Sequence, residues 1–115
     1  MSPPGERNCT LRKGWFDGQG TVYRQVRLRP ARAIDEIRAL EDFRVYLRPE
    51  RFPHVLLARV ITQLGPLTRV DPGLLERLDP HDMRLLEATY RQMNGYVLDA
   101  RRPSGDGRRR ERGRG

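Results

Sequence analysis

No apolar residue lies beyond Ala100 in this 115-residue chain. Residues 101–115 contain only arginine, glycine, proline, serine, aspartate and glutamate. Such a composition cannot bury a core, so any fold must be built from the first hundred residues. The net charge divides the same way. The whole chain is +8, and residues 101–115 hold seven arginines against two acids. Residues 14–100 carry 13 arginines, 12 acids and no lysine, so the body is close to neutral. A folded nucleic-acid reader needs a basic face on the fold itself. The arginine segment by itself supports only non-specific binding by counterion release.

Several classes fall away on composition. No apolar run reaches 18 residues, which leaves no transmembrane helix, and the opening MSPPGERNCT lacks the apolar stretch of a secretory signal. The single cysteine, Cys9, excludes a disulfide framework and a cysteine-based zinc site within one chain. The expected location is the cytoplasm, or a particle assembled there. The apolar fraction is 37%, which supports only a small core. A domain of about 90 residues is marginal alone, and an oligomer or a partner is the expected source of added stability.

Residues 1–9 read as a disordered lead-in. In the run Thr21–Arg29, Val22, Val26 and Leu28 alternate with Tyr23, Gln25, Arg27 and Arg29, the period of a half-buried strand. Preceded by Leu11, Trp15, Phe16 and the turn signal Asp17-Gly18-Gln19-Gly20, it predicts a β-hairpin over roughly 10–16 and 21–29, closed by Pro30. Ala33, Ile34, Ile37, Leu40 and Phe43 recur at helical spacing and predict a helix. Residues 44–52 are ambiguous between prolines. Pro53 opens a helix whose stripe Leu57, Val60, Ile61 and Leu64 runs to Gly65-Pro66. Leu74, Leu75 and Leu78 mark a short apolar segment. Asp79-Pro80 then starts the best-signalled helix, with Met83, Leu86, Tyr90 and Met93 on one face and Asn94-Gly95 as its stop. Tyr96, Val97 and Leu98 suit a short extended piece. The expected class is α+β: an N-terminal hairpin and three to four short helices in one domain over 10–99, with an arginine-rich disordered tail over 100–115.

Catalytic equipment is sparse. There is no phosphate-binding loop, and Gly18-Gln19-Gly20 precedes a strand rather than a helix N-terminus, which argues against a dinucleotide site. The serines, Ser2 and Ser104, both fall in predicted disorder. His54 and His81 each follow a proline in the first turn of a predicted helix, and two such ligands without cysteine make no persuasive metal site. Cys9 reads as an exposed thiol without a base. Asp35, Glu36, Glu41 and Asp42, among Arg32, Arg38 and Arg44, read as a solvated, salt-bridged helix surface. Trp15 and Tyr23 flank the turn, as an interface anchor or as packing for a small core. With Arg27 and Arg29 they are the candidate interface. The expectation is no enzyme, no cofactor and no metal.

Three segments in order carry a resemblance: Gly14-Trp15-Phe16-Asp17-Gly18-Gln19-Gly20 with Val26-Arg27-Leu28-Arg29-Pro30 and Ile34-Asp35-Glu36; Leu56-Leu57-Ala58-Arg59 through Leu64-Gly65; and Leu78-Asp79-Pro80-His81-Asp82 with Leu85-Leu86 and Asn94-Gly95. Together, over roughly residues 14–96, they resemble the small tail-assembly or baseplate-related proteins of contractile phages and phage-tail-like injection systems. The family's Asp-Arg pair is here Asp82-Met83-Arg84, and its cysteine after Leu-Leu-Ala-Arg is Val60. The resemblance implies a non-enzymatic role in building a tail or baseplate, with other tail, tube or baseplate proteins as partners. It transfers no catalytic residue. The alternative is a small basic nucleic-acid-associated regulator acting through its arginine-rich end.

Overall fold

A computed structural model describes residues 5–95. The hairpin comes first, as strands β1 (Arg7–Phe16) and β2 (Val22–Leu28). Asp17 closes it: its Oδ1 accepts from the N–H groups of Gln19 and Thr21 at 2.8 and 2.9 Å. Two helices follow, α1 (Ala33–Glu41) and α2 (Phe43–Leu47), joined through Asp42. A single 3-10 turn at Pro49–Arg51 leads into α3 (Phe52–Val60). Strand β3 (Ile61–Leu64), helix α4 (Pro72–Glu76) and helix α5 (Pro80–Asn94) complete the order. The molecule is α+β, with the sheet order β1-β2-β3 and both pairings antiparallel.

β1 begins earlier than the expected lead-in boundary of residue 9 allows. Cys9 and Leu11 alternate with exposed Asn8, Thr10 and Arg12, and Cys9 faces Val26 across the ladder. Two apolar residues at strand spacing were enough to extend the strand outward. Cys9 is therefore buried, not an exposed thiol.

β1 also bulges. Thr10 faces Gln25 and Trp15 faces Tyr23, so five steps along β1 match two along β2. The extra residues leave the ladder, which frees their N–H groups for other partners. Gly14 sits in the bulge at φ +87°. A Cβ there would lie 2.7 Å from the Tyr23 carbonyl oxygen, so only glycine fits.

The helix expected to run from Pro53 to Leu64 stops at Val60. The chain turns extended at Ile61 (φ −75°, ψ 119°) and pairs with β2, Leu28 facing Ile61 and Val26 facing Leu64. Val60, Ile61 and Thr62 are β-branched and suit a pleated surface. β2 offers an open edge, and the Arg29 N–H donates to the Val60 carbonyl at 2.9 Å. Ile61 and Leu64 still reach the core, because residues at the two ends of a short, irregularly paired strand can both point inward.

The core gathers Leu11, Val26 and Leu28 from the hairpin, Leu56, Leu57 and Val60 from α3, Leu64 from β3, Leu75 from α4, and Leu86 and Tyr90 from α5. α5 follows its signals closely. The Asp79 side chain accepts from the His81 N–H at 3.0 Å, and Gly95 ends the helix in the left-handed conformation at φ 75°. The extended piece expected at 96–98 and the tail over 100–115 lie outside the described residues.

Candidate interaction surface

Each of the two long-range helices begins with a buried aspartate at its third position. Asp82 of α5 is fully buried. Its carboxylate receives the freed N–H groups of the β1 bulge: Arg12 donates to Oδ1 at 2.6 Å, and Lys13 and Gly14 donate to Oδ2 at 3.0 and 2.9 Å. Successive amides converging on one carboxylate form an anion-binding concavity, and here the anion is the protein's own. Asp82 ties the N-terminus of the last helix to the first strand and satisfies an edge that would otherwise be open.

Asp35 of α1 is also fully buried, which corrects the reading of it as a solvated surface acid. Arg29 grips it through both oxygens, Nη1 to Oδ2 at 2.8 Å and Nη2 to Oδ1 at 2.9 Å. The Arg32 N–H donates to Oδ2 at 2.8 Å, and Arg59 Nε donates to Oδ1 at 3.4 Å. The Arg29 guanidinium holds the carboxyl at about 2, below its ordinary 3.8, against the opposing pull of burial. Arg29 further donates to the carbonyls of Pro30 and Arg59 at 3.1 and 3.0 Å. One planar fork thus joins the end of β2, the start of α1 and the end of α3. Glu41 and Asp42 do form surface pairs, with Arg38 at 3.4 Å and Arg44 at 3.0 Å.

The four candidate interface residues are separated by this arrangement. Trp15 and Tyr23 are cross-strand partners whose rings stack at 5.8 Å and 23°. Trp15 packs against the core, and the Tyr23 hydroxyl donates to Asp17 Oδ2 at 3.2 Å. Arg27 Nε donates to Asn8 Oδ1 at 3.3 Å on the outer sheet face, and Arg29 is committed to Asp35. Arg27 lines a shallow polar cleft of about 210 Å³ with Asn8, Gln25 and Gln63. A second cleft, of about 170 Å³, has Arg38, Arg44 and Arg59 around Asp42. Both are smaller than the 300–1,000 Å³ of a usual ligand pocket, and the arginines of the second are already paired within the chain.

Neither histidine joins a cluster. His81 is exposed, and His54 is half-buried in the first turn of α3 with an unpartnered Nδ1. Among the described residues no group of three His, Cys, Asp or Glu side chains could hold a metal ion. Burial pushes the Cys9 thiol up; the Thr89 hydroxyl, 3.7 Å from Sγ, opposes this, and the Asp82 charge adds to it. That is the setting of an inert thiol. No helix among the described residues is long and apolar enough to cross a membrane.

The large surface feature is an apolar stripe that periodicity marks without saying what covers it. α1 packs inward through Asp35 and Ala39, so the stripe Ile34, Ile37, Leu40 faces out. On α2 only Val45 is buried, and Phe43, Tyr46 and Leu47 are exposed. These six side chains are between 41% and 79% exposed. Phe43 and Tyr46 stack on one another, centroids 6.2 Å apart. Spacing alone could not reveal this, because an amphipathic helix shows that it has an apolar face but not what covers it. The available signal was Asp35. A carboxylate directed at Arg29 turns the opposite side of α1 toward solvent.

Comparison with protein-family models, curated proteins and solved structures finds no match to the chain.

Proposed function

We propose that the chain is a non-enzymatic structural or assembly protein of a contractile phage tail or phage-tail-like particle. It acts at the baseplate or tail-assembly stage, in the cytoplasm where such particles are built, and docks other tail, tube or baseplate proteins. The observation that carries this reading is the outward apolar face of α1 and α2. Six exposed large apolar residues within residues 34–47, on two consecutive helices, are more than scattered surface hydrophobics, and apolar exposure concentrated in this way marks an interaction site. The three ordered sequence segments support the particle, and the small, internally paired clefts support binding through a surface rather than chemistry in a pocket.

A second reading, a small nucleic-acid-associated regulator, stands on the seven arginines of residues 101–115. The described body favours the first, because its buried and cleft-lining arginines already answer carboxylates of the same chain.

The test is Phe43→Asp in cells that produce the particle. Circular dichroism should show a native fold, since Phe43 is exposed and an acid suits the start of a helix. Electron microscopy should show loss of assembled tails. Normal tails from cells carrying the folded variant would overturn the proposal.

A further inference from the structure

We infer that the α1–α2 face closes against the same face of a second copy of this chain, across a two-fold axis. The inference rests on the reading of this face as an assembly surface and makes its occupant a second copy, so that other tail, tube or baseplate proteins meet the closed dimer rather than this face.

The area is suitable. Aromatic side chains bury roughly 150–250 Å² each when fully covered, and Ile and Leu somewhat less, so the six at 41–79% exposure present on the order of 600 Å². Two copies would bury roughly 1,200 Å², the lower end for a specific protein interface.

The charges beside the apolar residues favour a like partner. On α1, Arg38 and Glu41 are 3.4 Å apart and each side chain is 60% exposed. After α2, Arg48 and Glu50 lie 3.9 Å apart and are equally open. These exposed pairs give the rim both signs, and Arg32 and Arg44 add further exposed positive charge. A two-fold copy presents a glutamate where the first presents an arginine, the self-complementarity an isologous contact requires.

Sedimentation velocity on the full chain from about 1 to 100 µM tests the inference, because a dimer must respond to mass action. A concentration-dependent dimer is expected. Phe43→Asp should raise its dissociation constant by at least roughly tenfold while the circular dichroism spectrum stays native. Arg38→Glu and Glu41→Arg should each weaken the dimer, and the double exchange should restore it. A monomer at every concentration, or a dimer indifferent to Phe43→Asp, overturns the inference. The assembly reading fails separately: a chain that stays monomeric while Phe43→Asp still abolishes tails removes the second copy and keeps the tail role. A dimer that dissociates in the variant without loss of tails does the reverse.

Discussion

Helices α1 and α5 begin alike and are used in opposite ways. Each has an aspartate at its third position, fully buried. Each carries an apolar stripe at helical spacing. In α5 the stripe and the aspartate both face inward: Met83, Leu86 and Tyr90 fill the core while Asp82 binds the β1 bulge. In α1 the aspartate faces inward and the stripe faces out. The difference follows from the partners available. Asp82 meets three neutral backbone N–H groups on a strand that runs beside apolar residues, so carboxylate and stripe can be satisfied together. Asp35 meets Arg29 and Arg59, whose long side chains occupy the space at its flank. A helix held by a guanidinium on one side has its apolar stripe left for something else to cover. The Arg29 and Arg59 contacts of Asp35 and the packing of Ala39 together hold the inner side of α1, which makes its exposed apolar face compatible with a folded chain.

The largest loss should follow removal of the carboxylate that neutral backbone amides hold. Asp82→Ala leaves three amides of the bulge without their acceptor, Gly14 among them buried. Hydrogen bonds to a charged group contribute about 1.5–3 kcal/mol each when lost from a buried site, less where water can replace the partner. Urea unfolding should show a loss of about 3–5 kcal/mol. That is a large part of a marginal domain's total of about 5–10. A loss below about 1 kcal/mol would mean water replaces the carboxylate freely, and the bulge would need no anchor.

The charged anchor should reveal itself through pH. The folded Asp35 carboxyl titrates at about 2 and the unfolded one near 3.8. A depressed folded value means the unfolded state takes up the proton first as pH falls. The stabilisation is complete above the unfolded value and is lost between about pH 4 and pH 2. Its size is about 2 kcal/mol at the usual 1.36 kcal/mol for each unit of difference. Stability measured through that window should fall by this amount more in the native chain than in Asp35→Asn, which has no proton to take up. Identical acid profiles would show that Arg29 and Arg59 do not hold a charged Asp35.

The smallest expected effect concerns the outward stripe. Ile37→Ser alters an exposed position, and its stability should stay within about 0.5 kcal/mol of the native chain at concentrations where the protein is monomeric. A loss of 2 kcal/mol or more in dilute solution would place Ile37 in a core, and the contrast between α1 and α5 would disappear.

Much of the fold was legible in short-range signals. Asp79-Pro80 and Gly95 bracket α5 because capping and the left-handed stop are local chemistry. The alternation from Val22 to Leu28 marks a strand because its period belongs to the backbone. The pairing of Trp15 with Tyr23 across the turn follows from the hairpin between them. The candidate surface was legible only as residues. Ile34, Ile37, Leu40 and Phe43 stood out as a stripe, and a stripe is ordinarily core. Asp35 read as a solvated surface acid, and nothing local shows that it and Asp82 each end buried.

By itself, then, the sequence determined where chain segments start and stop, which of them have two unlike sides, and that no core extends past Ala100. Tertiary structure decided the rest. It decided that the chain unwinds after Val60, because only the assembled sheet offers Ile61–Leu64 the free edge of β2. It decided which side of α1 is covered, because Arg59 of α3 comes back to join Arg29 at Asp35 only once the chain has folded. Caps and periods arise between near neighbours, whose spacing is set by bond geometry. Edges, ion-pair partners and buried faces arise between residues that become neighbours only when the chain has closed on itself.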